Sequence, residues 1–215
     1  MNLQPEDVFR AMGYGNDNIL GQLADLVPDM IQQALEKCSL EAVYQVFPNE
    51  DVVISKGQLN IQDKAFHIKN IIWSQIKKLD TVAIVICTLG ASFDQWAQSF
   101  SDKEDELLRY IADTIGSELV EKLSEVLLGI IEIDMHKSGR HCSNNFSPGY
   151  CGWAVKEQHE LFSFFSTNDT SVRLSESALM HPIKSISGII AIGNNIEKKN
   201  YICNNCEAKD CYKRW

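Results

Sequence analysis

Clustered positive charge is what this chain has least of. Twenty Lys and Arg stand against 29 Asp and Glu, a formal net charge of −9 over 215 residues. Only Lys209, Lys213 and Arg214 gather, near the C-terminus. Neutralising a phosphate backbone takes a patch or stripe of cations, so nucleic acid is not an expected partner. Long apolar runs are also missing. The longest mostly apolar stretch, 81–89, is far shorter than a membrane span, and no membrane association is expected. Residues 1–7 contain neither a basic segment nor an apolar one, so a secretory leader is not expected. There is no Walker glycine loop, dinucleotide fingerprint, His-Glu-x-x-His pair or Ser-His-Asp order, which removes the commonest phosphate, metal and acyl-transfer chemistries. Neither an internal repeat nor a low-complexity linker interrupts the chain. Seven cysteines is an odd number, and reduced thiols in a cytoplasm fit them better than a disulfide framework.

What remains is an ordinary globular composition, 45% apolar, at a length for which one domain is the default and two small ones the alternative. Residues 5–12 predict a short helix, with Pro5 in its first turn and Gly13 beyond its end. Apolar residues recur at helical spacing over 19–35, where Pro28 must kink the helix or start a second one. Residues 43–47, 52–54 and 59–61 read as strands, with a turn at 56–58. Residues 66–76 begin as strand and end as helix. The unbroken apolar run 81–87 predicts a strand buried on both faces, followed by a helix over 92–100. The longest helical pattern covers 104–137, and Gly116 inside it signals close packing or a break. A long loop is expected over 139–154, a helix over 156–165, and strands over 172–174 and 185–192. Strands and helices mixed without a βαβ rhythm indicate an α+β fold. The expectation is one domain over 1–198, a mostly antiparallel twisted sheet flanked by helices. A cysteine-rich tail, 199–215, would pack on it.

The expected loop carries the most informative stretch, Asn144-Asn145-Phe146-Ser147-Pro148-Gly149-Tyr150-Cys151-Gly152-Trp153. Pro148 presets φ at the second position of a turn, and Gly149 supplies the positive φ that the third position of a type II turn demands. Without a Cβ at 149 a ligand can approach the backbone, and Tyr150 and Trp153 offer flat faces with polar handles. Downstream come Leu174-Ser175-Glu176-Ser177 and then Pro182-x-x-Ser185-x-Ser187-Gly188. In order and spacing, with Val8 to Tyr14, Thr88-Leu89-Gly90 and Ala112 to Ser117 upstream, these resemble the activation domain of cobalamin-dependent methionine synthase, in its stand-alone form.

That resemblance implies a groove for S-adenosylmethionine lined by Asn145, Ser147, Gly149, Tyr150 and Glu176, with Tyr201 near the ligand. It implies a methyl donor presented to cobalamin on a partner, a cobalamin-binding methionine synthase or related corrinoid protein. One electron would come from a flavodoxin-type or other donor. The protein would have little activity alone. One departure is evident: many members carry an Arg at the position of Asn145, pairing with the ligand's carboxylate. An amide cannot form that bidentate, charge-assisted fork. Asn145 with Asn144 would do a weaker version of the job, or Arg140, Arg173 or Lys184 would substitute.

The tail places Cys203, Cys206 and Cys211 within nine residues of a polar segment. Zinc or an iron–sulfur cluster would tie down such a segment, with Cys142, Cys151 or His141 as a fourth ligand; redox-active thiols and plain reduced cysteines are the other readings. Ser185 and Ser187 share one strand face and are candidates for ligand or partner contact. Two further functions stay open: an activator of another corrinoid methyltransferase, and a non-enzymatic metal or electron-transfer module with a degenerate groove.

Overall fold

The computed structural model describes residues 2–14, 21–100 and 106–199. Its centre is a four-stranded antiparallel sheet in the order β1-β5-β9-β6. These are β1 (Glu41–Phe47), β5 (Thr81–Thr88), β6 (His141–Phe146) and β9 (Ser185–Gly193). The two central strands are the two most continuously apolar ones in the chain, and every residue of β5 is buried. Along β5 the side chains alternate between two hydrophobic clusters. Ala83, Val85 and Cys87 enter one, Val82 and Ile84 the other, as the two-residue period of a strand requires.

Helices cover the first face. They are α1 (Pro5–Ala11), α2 (Gly21–Lys37), α4 (Ala91–Gln98) and the 31-residue α5 (Glu106–His136). Pro28 lies within a continuous α2. Gly116 does not break α5: a Cβ there would stand 2.7 Å from the Phe93 ring, so the glycine is a packing site. On the second face sit a small meander, β2 (Val52–Ser55), β3 (Gln58–Ile61) and β4 (Lys64–Phe66), then α3 (Asn70–Ile76) and α6 (Gln158–Phe162). Residues 66–76 divide as their sequence suggested, one strand end and one helix. A third sheet pairs β7 (Arg173–Leu174) with β8 (Met180–His181).

The α+β, mostly antiparallel architecture matches expectation, with two corrections. The stretch 139–154 is not all loop, because its first part is β6, the fourth strand of the main sheet. Its composition, His-Cys-Ser-Asn-Asn-Phe, is poor in β-formers. The strand nonetheless holds the edge of the sheet by pairing with β9, through a register shift between Cys142 and Asn145. There the Ser143 hydroxyl accepts the Ala191 N–H at 3.0 Å. The second correction concerns Ser185 and Ser187, which face inward. Ser185 donates to Thr88 Oγ1 or Pro182 O, and Ser187 donates to Gln158 Oε1. Both are buried, so in this structure they are internal ties and touch no open surface.

Candidate functional site

The polar stretch after β6 folds into two consecutive tight turns. In the first, Tyr150 N–H donates to Ser147 O at 3.2 Å, and Gly149 sits at φ +94°. This is the type II geometry expected of Ser147-Pro148-Gly149-Tyr150. In the second, Trp153 N–H donates to Tyr150 O at 2.9 Å across Cys151 and Gly152, both at positive φ (51° and 73°). Gly149 N–H closes the pair on Trp153 O at 2.8 Å. The Gly152 N–H takes no part in these turn bonds.

The two aromatic residues of the turn part company. Tyr150 is 57% exposed and offers its ring to solvent. Trp153 is 2% exposed and belongs to the core, edge-on to Phe66 at 5.8 Å between centroids; the expectation that it presents a face to ligand is overturned. A Trp that follows a turn of this kind packs away from it, because a large apolar ring gains most from burial. Its indole N–H donates to Glu157 Oε2 at 2.9 Å. The same carboxylate accepts the His67 backbone N–H at 2.8 Å and lies 3.1 Å from His67 Nδ1. Glu157 thus joins the double turn to the connection between β4 and α3. Nothing in the sequence singled out Glu157 or His67; the visible signal was a Trp with an acid four residues on.

The remaining expected residues divide into three groups. Asn145, Ser147, Gly149 and Tyr150 are contiguous along the end of β6 and the first turn. The Asn145 Oδ1 is buried without a hydrogen-bond partner, packed over Gly188 of β9. Asn144 turns to the other chain segment: its amide donates to Lys199 O at 2.8 Å and accepts Lys199 N–H at 2.9 Å, as a strand neighbour would. Glu176 belongs to a second set of contacts. Its side chain is exposed, and its carbonyl lies 3.3 Å from His159 Nε2 on α6. The link between the two sets is the buried Gln158, which donates to Ala178 O and accepts from Ser187. Tyr201, Cys203, Cys206 and Cys211 lie outside the described residues, and so does any metal site built from them.

The three cations proposed to replace the missing Arg are all committed elsewhere. Arg173 spends its guanidinium on the carbonyls of Thr170, Val172 and Thr167. Lys184 pairs with Asp113 at 2.6 Å and donates to Ser117. Arg140 donates to Thr81 Oγ1 and Ser138 Oγ, both at 3.0 Å. Of the thiols considered as a fourth metal ligand, Cys142 is a core residue; burial, with Glu132 nearby, pushes it up to about 11. Among the described residues no group of three His, Cys, Asp or Glu side chains is placed to hold a metal. No helix among them is long and apolar enough to cross a membrane.

Comparison with known proteins agrees with this picture. A family model described as vitamin B12 dependent methionine synthase, activation domain, matches residues 55–213. The solved structure of the MetH reactivation domain bound to AdoHcy superposes with a TM-score of 0.65 at 14% identity, covering 92% of this chain and 77% of that one. At that identity the likeness is one of fold. No curated protein matches the chain significantly.

Proposed function

The chain belongs to the vitamin B12-dependent methionine synthase activation-domain family. On that premise we propose that it binds S-adenosylmethionine on the double turn at 147–153 and holds the methyl group toward cob(II)alamin carried by a separate methionine synthase. The carrying observation is the pair of turns with three positive-φ residues at Gly149, Cys151 and Gly152, beside the exposed Tyr150 ring. Such backbone leaves main-chain groups approachable and sets an aromatic face next to them, a fit for an adenine that needs stacking and edge hydrogen bonds. The crystallised relative whose fold this chain shares holds AdoHcy, the product of that methyl donor.

S-adenosylmethionine supplies a methyl group on a sulfonium, already a good leaving group. The protein therefore needs to position rather than to perform acid–base chemistry, and orientation alone can supply most of the acceleration. One electron, from a flavodoxin-type donor, completes the change from cob(II)alamin to methylcobalamin. In this reading Tyr150 stacks on the base, Ser147, Gly149 and Asn145 line the groove, Glu176 contributes from the segment before β8, and Tyr201, outside the described residues, is a further contact. The protein has little activity alone, because cobalt resides on the partner.

Titration calorimetry with S-adenosylmethionine tests the reading. Saturable binding is expected, weakened about tenfold by Tyr150→Ala, the order of one stacked aromatic contact. Absence of binding at millimolar ligand, or equal binding by the variant, overturns it.

A further inference from the structure

S-adenosylmethionine carries an α-carboxylate as well as its sulfonium, and nothing on the double turn answers that negative charge. Asn145 is neutral, with its oxygen buried. Arg140, Arg173 and Lys184 are held by Thr81 and Ser138, by three backbone carbonyls, and by Asp113. Two exposed lysines near the turn have side chains that make no ion pair with a described residue: Lys156, which follows the turn in sequence, and Lys69, which the fold brings against it.

Residues 67–69 form a second wall against it. His67 is fixed by its N–H to Glu157, the carboxylate that also holds Trp153 of the turn. Ile68 is buried in the core beneath. Lys69 follows at the N-cap of α3 and makes no side-chain cap bond. Its stem lies along the backbone of the second turn: a Cβ at Gly152 would meet Lys69 Cγ at 2.9 Å and Lys69 Cβ and Cε at 3.7 Å. Those are the three atoms nearest to the vacant position. The missing side chain at 152 is thus the space the lysine occupies. Its ammonium, one bond past Cε, has no hydrogen bond, ion pair or ring contact with any described residue.

We infer that Lys69 is a ligand-binding residue of this site, supplying the positive charge that receives the α-carboxylate of the bound nucleoside amino acid. The inference rests on the binding of S-adenosylmethionine proposed above and adds to it a residue from a different part of the chain. A lysine is a point charge on a flexible stem, not a planar fork, so it can serve from a neighbouring element without the bidentate geometry an Arg on the turn would impose. Gly152, by leaving the stem room, decides where that charge sits.

The test compares two ligands on three proteins. S-adenosylhomocysteine carries the carboxylate; 5′-methylthioadenosine keeps the nucleoside and thioether but lacks it. Lys69→Ala is expected to weaken S-adenosylhomocysteine about tenfold, the order of one charge-assisted hydrogen bond at an accessible site, and to leave 5′-methylthioadenosine within about twofold. Raising salt from about 50 to 500 mM should weaken S-adenosylhomocysteine binding to the wild type and hardly affect the variant, because exposed charges are screened. Lys156→Ala removes another exposed lysine close in sequence and should change neither ligand. If the wild type does not bind S-adenosylhomocysteine, the underlying reading fails and this one with it. If it binds, three results overturn the role of Lys69 alone: an unaffected Lys69→Ala, an equal loss of both ligands, or the same loss from Lys156→Ala.

Discussion

Gly149 and Gly152 share a left-handed backbone and differ in what surrounds them. A Cβ at 149 would find Val155 at 3.7 Å, an ordinary contact, so only the backbone resists a side chain there. Gly149→Ala should therefore cost about 1 kcal/mol, the price of an L-residue at positive φ, read as a lowered denaturation midpoint. Gly152→Ala should cost about the same in stability and in addition displace the Lys69 stem, 2.9 Å away. Its S-adenosylhomocysteine affinity should then fall by the factor seen for Lys69→Ala; retention of full affinity would disconnect the glycine from the lysine. Three buried or half-buried thiols contribute to the alkaline limb of stability. Burial pushes Cys38 up to about 11 and Cys87 up to about 12, with Cys142 up to about 11, against an ordinary 9.0. A raised acid binds its proton more tightly in the folded state. The stability it contributes is whole below pH 9 and is lost as pH rises through 11 to 12. Urea midpoints measured from pH 8 to 11 should fall, and Cys87→Ala should show a shallower fall than the wild type.

Among the elements, the strands and helices with strong periodicity were legible and those held by single polar ties were not. The run 81–87 announced a doubly buried strand, and 104–137 a long helix, because apolar side chains at the strand or helix period leave one way to bury them. β6 gave no such signal: Asn144 and Asn145 are weak strand formers, and the strand exists because β9 lends it an edge and Ser143 satisfies the backbone at its bulge. Its turn was readable to the turn type, since Pro148 and Gly149 dictate local dihedrals without tertiary help. Trp153 and Lys69 were not, because a residue's partner across 80 positions is invisible to local pattern. The same dependence on one tie governs the segment before β7. Glu41 on the edge strand β1 accepts the Ser171 N–H at 2.9 Å and the Thr170 hydroxyl, holding residues 166–172 to the sheet. Glu41→Ala leaves the Ser171 N–H to water and the buried Thr170 hydroxyl without its acceptor, and should cost about 1–2 kcal/mol. Amide exchange at Ser171 should rise while exchange in β5 is unchanged. A uniform rise across the sheet would mean that the tie supports the whole fold rather than the segment.

At the scale of the molecule, one sheet serves both faces. The helical cluster and the cluster beneath the double turn meet across this sheet, whose strands send alternate residues to each: on β9, Ile190 and Ile192 enter the first and Ile189 and Ala191 the second. Neither cluster can lose its packing while the other keeps a complete wall, so the described chain should unfold as one unit. The double turn hangs from β6, hydrogen-bonded to that shared β9. Binding there should accordingly stabilise α5 on the far face as much as α6 on the near one. Mass action fixes the size: at 100 times Kd a ligand that binds only the folded state adds about 2.7 kcal/mol, and a chain of this length gains roughly 2–4 °C per kcal/mol, so S-adenosylhomocysteine should raise Tm by about 5–10 °C. Far-UV dichroism, dominated by the helices, and near-UV dichroism, sensitive to Trp153, should shift together. A near-UV transition that moves alone would show that the sheet does not couple its two faces, and that the turn side, with its ligand, melts as a separate unit.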